Sequence, residues 1–168
     1  LFVASDELST NEDPYLGYNE KKNVYRADFI PTKWVVDLYE SNDIRKGAYF
    51  LTTTLIYPSG TYTATLVNKY PRGLYAATSY AHAPKVFRIA EQYLIAAEAA
   101  YKSGNETAAL AQLNTLRAAR GASSITATGT ALFEEIKNER VRELSFEGFR
   151  LTDLKRWSDP VTRRTPQN

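Results

Sequence analysis

The 168 residues, 43% hydrophobic and 24% charged, suffice for one globular domain with a core or for part of a larger one, and exclude a disordered tail. Lys and Arg number 21 against 19 Asp and Glu, a net charge of +2 with no run of five basic residues, which argues against nucleic acid as a partner. With no Cys and a single histidine, His82, the chain offers no disulfide, no thiolate ligand and no two-imidazole metal site, so neither metal nor cofactor is expected.

The chain starts at Leu1 and contains no Met, which points to processing or excision. Residues 1–10 lack the basic start and long apolar run of a signal peptide, and no apolar stretch approaches a bilayer-spanning length. Residues 1–85 hold ten of the twelve tyrosines and five of the seven prolines, the composition of loops and short elements. After Pro31 a helix is predicted from Thr32 to about Asn42, with Trp34, Val35, Leu38 and Tyr39 on one face. The runs FLTTTLIY and YTATLVNKY flank a turn containing Pro58 and Gly60 and predict a β-hairpin. Pro71, Gly73 and Pro84 bound an irregular connection.

From Val86 the period is helical. Val86, Ile89, Ala90, Tyr93, Leu94, Ala97, Ala100 and Tyr101 form one stripe, and Gly104 ends the helix. Asn105 caps a second helix that buries Ala109, Leu113 and Leu116 and stops at Gly121. A third is expected after Gly129, with Thr130 as cap, running through Ile136, Val141, Leu144 and Phe146; a shorter piece through Leu154 and Trp157 follows. The very short turn between the first two makes them an antiparallel hairpin. Ala97, Gly104, Ala109 and Leu113 fall at spacings used by tetratricopeptide helix pairs, but no second copy is present.

The expected fold is therefore mainly α: a tetratricopeptide-like helix pair plus further C-terminal helices, with a small β-hairpin and long loops in the N-terminal half. The expected organisation is a Tyr-rich irregular region over 1–85, a helical region over 86–157 and a tail over 158–168. Together these read as one domain and a fragment of a longer chain.

The letters from 88 to 157 carry more than their period. RIAEQYLIAAEAAYKSGN, ALAQLNTLRAARG and NERVRELSFEGFRLTDLKRW resemble the C-terminal helical region of the SusD/RagB family of outer-membrane glycan-binding lipoproteins. The matching positions are Arg88, Glu91, Leu94, Glu98, Asn114, Arg117, Glu139, Arg140, Glu143, Leu144, Glu147, Gly148, Arg150 and Asp153. Asp43 and Arg45, and Lys69 and Tyr70, sit where such proteins carry an Asp-x-Arg motif and a Lys-Tyr pair. The resemblance implies binding of an oligosaccharide or other nutrient without catalysis, and a TonB-dependent, SusC-like transporter as partner. It also implies a place at the bacterial cell surface, with membrane contact only through a lipid anchor that this chain does not contain.

Glu139, Arg140, Glu143, Glu147, Arg150 and Asp153 invite a catalytic acid pair, yet Arg140 and Glu143, Glu147 and Arg150, and Arg150 and Asp153 are i, i+3 neighbours of opposite sign. A carboxyl beside Arg has its pKa lowered, whereas a general acid needs it raised, so these six read as a structural ion network and a glycosidase is disfavoured. Glu91 and Glu98 read as packing partners for Arg88 or Arg117. His82, alone in a loop, reads as an ordinary surface or capping residue, and no Gly-x-Ser-x-Gly elbow is present for a serine nucleophile.

Aromatic rings are the better clue, because sugars lay C–H faces on flat rings. Tyr57 and Tyr62 flank the hairpin turn and are the expected ligand contacts, with Trp34 the further candidate although its periodicity favours the core. Trp157 reads as core. The competing class is a tetratricopeptide-like scaffold that binds a protein partner and has no glycan site.

Overall fold

The computed structural model describes residues 17–19, 24–26, 30–57, 59–69, 86–164 and 166–167. Tyr15, Tyr70, Tyr75, Tyr80 and His82 lie outside them, as do the side chains of Tyr18, Tyr25 and Tyr57. The fold is mainly helical with a small antiparallel hairpin, and the chain divides into two compact units.

The first unit takes Leu1–Asp37, Lys46–Pro84 and Arg163–Asn168. Its sheet runs in the order β1 (Gly17–Asn19), β2 (Val24–Arg26), β3 (Phe50–Tyr57), β4 (Gly60–Val67). The β3–β4 hairpin keeps one antiparallel register from Phe50↔Val67 to Tyr57↔Gly60, as the two β-branched runs predict. Gly60, at φ +143°, supplies the turn conformation that a side chain would resist. Strand β2 joins β3 in parallel, with Tyr25 opposite Leu55. Val35, Phe50, Leu55, Ala64, Leu66 and Val67 are buried here.

Helix α1 (Lys33–Asp37) is far shorter than the predicted span to Asn42. Tertiary bonds pull the following residues out of the helix: the Tyr39 hydroxyl donates to the Arg142 carbonyl at 2.6 Å, and Arg142 Nε donates to the Leu38 carbonyl at 2.7 Å. The Asp43 carboxylate then accepts the Arg45 backbone N–H at 2.9 Å and opens α2 (Ile44–Tyr49), a helix that the apolar period does not predict.

The second unit takes Leu38–Arg45 and Lys85–Thr162. Its helices are α3 (Ile89–Lys102), α4 (Glu106–Ala118), α5 (Gly129–Leu144) and α6 (Phe149–Trp157). Ala90, Leu94 and Ala97 of α3 meet Ala109, Leu113 and Leu116 of α4 and Leu132, Ile136 and Leu144 of α5 in one core. Gly104 turns the α3–α4 hairpin at φ +82°, and the Asn105 side chain accepts the Ala108 N–H at 3.0 Å as the predicted cap.

The predicted α3 stripe is too broad. Of its members, Val86 precedes the helix and Ile89 opens it, and both are exposed, as is Phe87 between them, because Arg88 is extended and its side chain is drawn to α5. Helix α5 starts at Gly129 after Thr128, which makes no side-chain cap; Thr130 is already inside, and Glu106 reaches from α4 to accept the Gly129 N–H at 3.0 Å. It ends at Leu144, so Phe146 lies beyond it, at φ +66°.

The stretch 42–44 closes on the end of α4. Asn42 Nδ2 donates to the Gly121 carbonyl at 2.8 Å, and the Ile44 N–H donates to that of Arg120 at 3.0 Å. Gly121 sits at φ +69°, and a Cβ there would lie 2.9 Å from the Asn42 carbonyl oxygen. Gly121→Ala is therefore expected to cost about 1–3 kcal/mol, read as a lowered urea midpoint with an unchanged slope.

Candidate functional site

Tyr62 stands on β4 opposite Leu55, near the hairpin turn. It is 41% exposed, while Ala64 and Leu66 on its face of the strand are buried. Its ring lies across Gly60, with the hydroxyl 3.5 Å from where a Cβ would stand, and that hydroxyl donates at long range to the Ser59 carbonyl (3.4 Å) and lies 3.3 Å from Ser59 Oγ. Part of the ring surface is thus open to solvent. Tyr57, the last residue of β3, pairs with Gly60, which places it across the same turn. Trp34 belongs to α1 and is half-buried, and the Arg164 guanidinium lies 4.4 Å from its ring centre.

The charged residues form two buried clusters in the helical unit. In the first, Arg45 donates from Nε and Nη2 to Asp43 (2.9 and 2.7 Å) and from Nη1 to Glu143 (2.9 Å). Arg88 reaches Glu143 (2.8 Å) and Glu147 (2.7 Å), and Arg120 adds a bond to Glu143 at 3.0 Å. Glu139 accepts from Arg117 (2.8 Å) and Arg142 (2.9 Å), and Arg117 continues to Glu40. Glu139 Oε1 lies 2.7 Å from Arg45 Nη2 but makes no aligned hydrogen bond, so its compensation is charge proximity alone. Burial raises the Glu143 carboxyl, but Arg120, Arg45 and Arg88 outweigh it and hold the group below the usual carboxylate range.

In the second cluster Arg140 of α5 donates to Asp153 of α6 at 2.9 Å, and Arg156 bonds Asp153 (2.8 Å) and both oxygens of Glu98 (2.5 and 2.7 Å). Glu98 also accepts from the half-buried Trp157 indole at 2.9 Å. The partners of Glu98 are therefore Arg156, Trp157 and Lys102, where Arg88 or Arg117 was expected; those two face α5 instead. Chemically these clusters hold charge in place: their shifted carboxylates are pulled toward the ionised form, the opposite of what a general acid requires.

Burial raises the Glu98 carboxyl, but the Arg156, Trp157 and Lys102 hydrogen bonds overcome it and bring the group to about 2 from an ordinary 4.5. A depressed folded value means stability that is complete above about pH 4.5 and is lost as the pH falls toward 2. Glu98→Gln is expected to cost about 2 kcal/mol at pH 7, the worth of a charged hydrogen bond, with the gap to the wild type closing between pH 4.5 and 2. Urea denaturation at stepped pH checks this; a gap that persists at pH 2 would refute it.

Local spacing gives no sign that Asp43, Arg45, Glu40 and Arg120 join the network. The Asp-x-Arg pattern at 43–45 was the one available signal. Among the described residues no group of His, Asp and Glu converges to hold a metal, and no helix is long and apolar enough to cross a membrane.

Residues 47–168 match the model of the SusD family. A SusD-like carbohydrate binding protein from Bacteroides vulgatus is 30% identical at a TM-score of 0.65, over 81% of this chain and 29% of that one. NanU of B. fragilis, 23% identical at a TM-score of 0.58, shares the fold over 75% of this chain and 31% of its own. The chain thus spans under a third of the solved proteins it resembles. No curated protein sequence matches it.

Proposed function

The chain belongs to the SusD family, and on that premise we propose that it serves non-catalytic capture of an oligosaccharide or other nutrient at the bacterial cell surface. In this reading the ligand passes to a TonB-dependent, SusC-like outer-membrane transporter, the chain is the C-terminal portion of a longer protein, and that protein is held to the outer membrane by lipid. The observation that carries the reading is the 30% identity, over 81% of the chain, to a protein described as SusD-like and carbohydrate binding. The partly open Tyr62 ring supplies a surface of the right chemistry. The paired carboxylates of the helical unit support binding over hydrolysis.

Calorimetric titration with a panel of oligosaccharides tests the reading. Heats of binding without release of reducing ends are expected; release of reducing ends would make the protein a hydrolase. Tyr62→Ala should weaken binding by about 1–2 kcal/mol while leaving the unfolding midpoint nearly unchanged, since the residue is 41% exposed. Intact affinity with a lowered midpoint would assign Tyr62 to packing.

A tetratricopeptide-like scaffold is the second reading. It is favoured by the exposed apolar run of Val86, Phe87 and Ile89 at the start of α3, with Phe87 86% accessible. Substituting these residues should then abolish capture of a protein partner and leave sugar titrations flat in every form.

A further inference from the structure

We propose that the helical unit carries a binding site of its own, a groove between α3 and α6 with Arg140 of α5 at its base, and that this groove takes the vicinal hydroxyls of a neutral sugar. The class of ligand rests on the oligosaccharide reading above; the place is independent of Tyr62.

The groove measures about 490 Å³, and every residue that lines it is a described residue of the helical unit. That volume lies in the range of roughly 300–1,000 Å³ that small-molecule sites occupy. One wall is α3, where Glu91, Ile95 and Ala99 recur at helical spacing and so share a face. The other is α6, where Phe149 and Thr152 do the same.

Arg140 is 5% exposed, and its Nε donates to Asp153 at 2.9 Å. The guanidinium makes no other hydrogen bond, so the N–H donors on Nη1 and Nη2 have no acceptor in the protein. Nor are they sealed off. Among the described residues the unbonded polar side-chain atom with no accessible surface is Glu139 Oε1, so the Arg140 Nη atoms keep some surface, and the groove is what Arg140 lines. A guanidinium this far removed from water, with idle donors, gains from any acceptor that reaches it. On the α3 wall the half-buried Glu91 carboxylate has neither ion pair nor hydrogen bond, and so can accept a proton donor.

Lys102, Arg140 and Arg156 line the groove together with Glu91, Glu98 and Asp153, so the lining is formally neutral and gives an anion no surplus field. A vicinal diol suits that balance. Its oxygens accept from the neighbouring Nη groups, its hydroxyl protons are donated toward Glu91, and the C–H face of the ring lies on Ile95, 48% exposed, and on Phe149.

The test labels the arginines of the whole chain with 15N and assigns the Arg140 Nε–H resonance by Arg140→Lys. Lactose, cellobiose and maltose serve as neutral probes and acetate as the anion. At least one disaccharide should shift that resonance saturably, and acetate should not. Glu91→Gln, which removes the free carboxylate, and Ala99→Trp, which plugs the groove from an exposed position on α3, should each weaken the disaccharide about tenfold, with Lys33→Ala as the unaffected reference. If Ala99→Trp lowers the unfolding midpoint, Glu91→Gln decides alone. An Arg140 resonance that answers to acetate and to no sugar, or a disaccharide bound equally well by both variants, would overturn the proposal. Oligosaccharides that release heat in the calorimeter while none of the probes moves Arg140 would remove the groove and leave the oligosaccharide reading standing. Silence in both measurements would remove both.

Discussion

Arg45→Ala is expected to lower the unfolding free energy by about 3–5 kcal/mol, the largest single loss among the charged residues. The side chain is 2% exposed and is held by Asp43, Glu139 and Glu143. Removing it leaves three buried carboxylates short of a cation, and Glu139 Oε1, which has no aligned hydrogen bond, loses its close compensating charge. Arg45→Lys should rescue little, since one ammonium cannot reproduce a fork that serves carboxylates on different elements. Urea denaturation gives the comparison, with Lys33→Ala as reference: Lys33 pairs with Asp37 in solvent and should cost under about 0.5 kcal/mol. A loss at Arg45 near that reference would mean that water reaches the cluster.

Leu132→Ala is expected to cost about 3–4 kcal/mol, from lost transfer energy and the cavity left behind. Leu132 is fully buried on α5 and belongs to the core shared by α3, α4 and α5. Leu151 on α6, 53% exposed, gives the contrast: Leu151→Ala should stay within about 0.5 kcal/mol. Equal losses at the two positions would mean that Leu132 is not part of a close-packed core.

The helices from 89 onward and the hairpin were legible because their signals are local. Asn105 capping α4 and Gly104 leaving α3 are decided within one turn of chain, and the β3–β4 register follows from two β-branched runs around a short turn. The span 32–42 failed for the opposite reason. Its apolar spacing is helical, but Tyr39 is bound to the Arg142 carbonyl, 103 positions away, and a distant bond leaves no mark in a local period. Apolar spacing extends α5 through Phe146, yet that residue adopts φ +66° just past the helix end.

For the charged residues, type was readable and partner was not. Spacing suggested Arg140 for Glu143, whereas the structure gives Arg140 to Asp153 and surrounds Glu143 with Arg45, Arg88 and Arg120 from other parts of the chain. At the candidate contacts, the exposure of Tyr62 follows from its place near a hairpin end. The guanidinium over Trp34 comes from a tail in which the sequence showed no role.

The helical unit is assembled from two stretches that are not adjacent in the chain, Leu38–Arg45 and Lys85–Thr162. A ribosome therefore delivers Arg45 98 positions before Glu143 exists to receive it. At about 5–20 residues per second that interval lasts on the order of 5–20 s, during which the early stretch carries charges made for a partner not yet translated. Helices α3 and α4 can form while it waits, but the unit closes only after α5 emerges. Translation order thus makes the ion cluster a late event in biogenesis, and a chain truncated before α5 should remain a substrate for proteases, however well its first helices form.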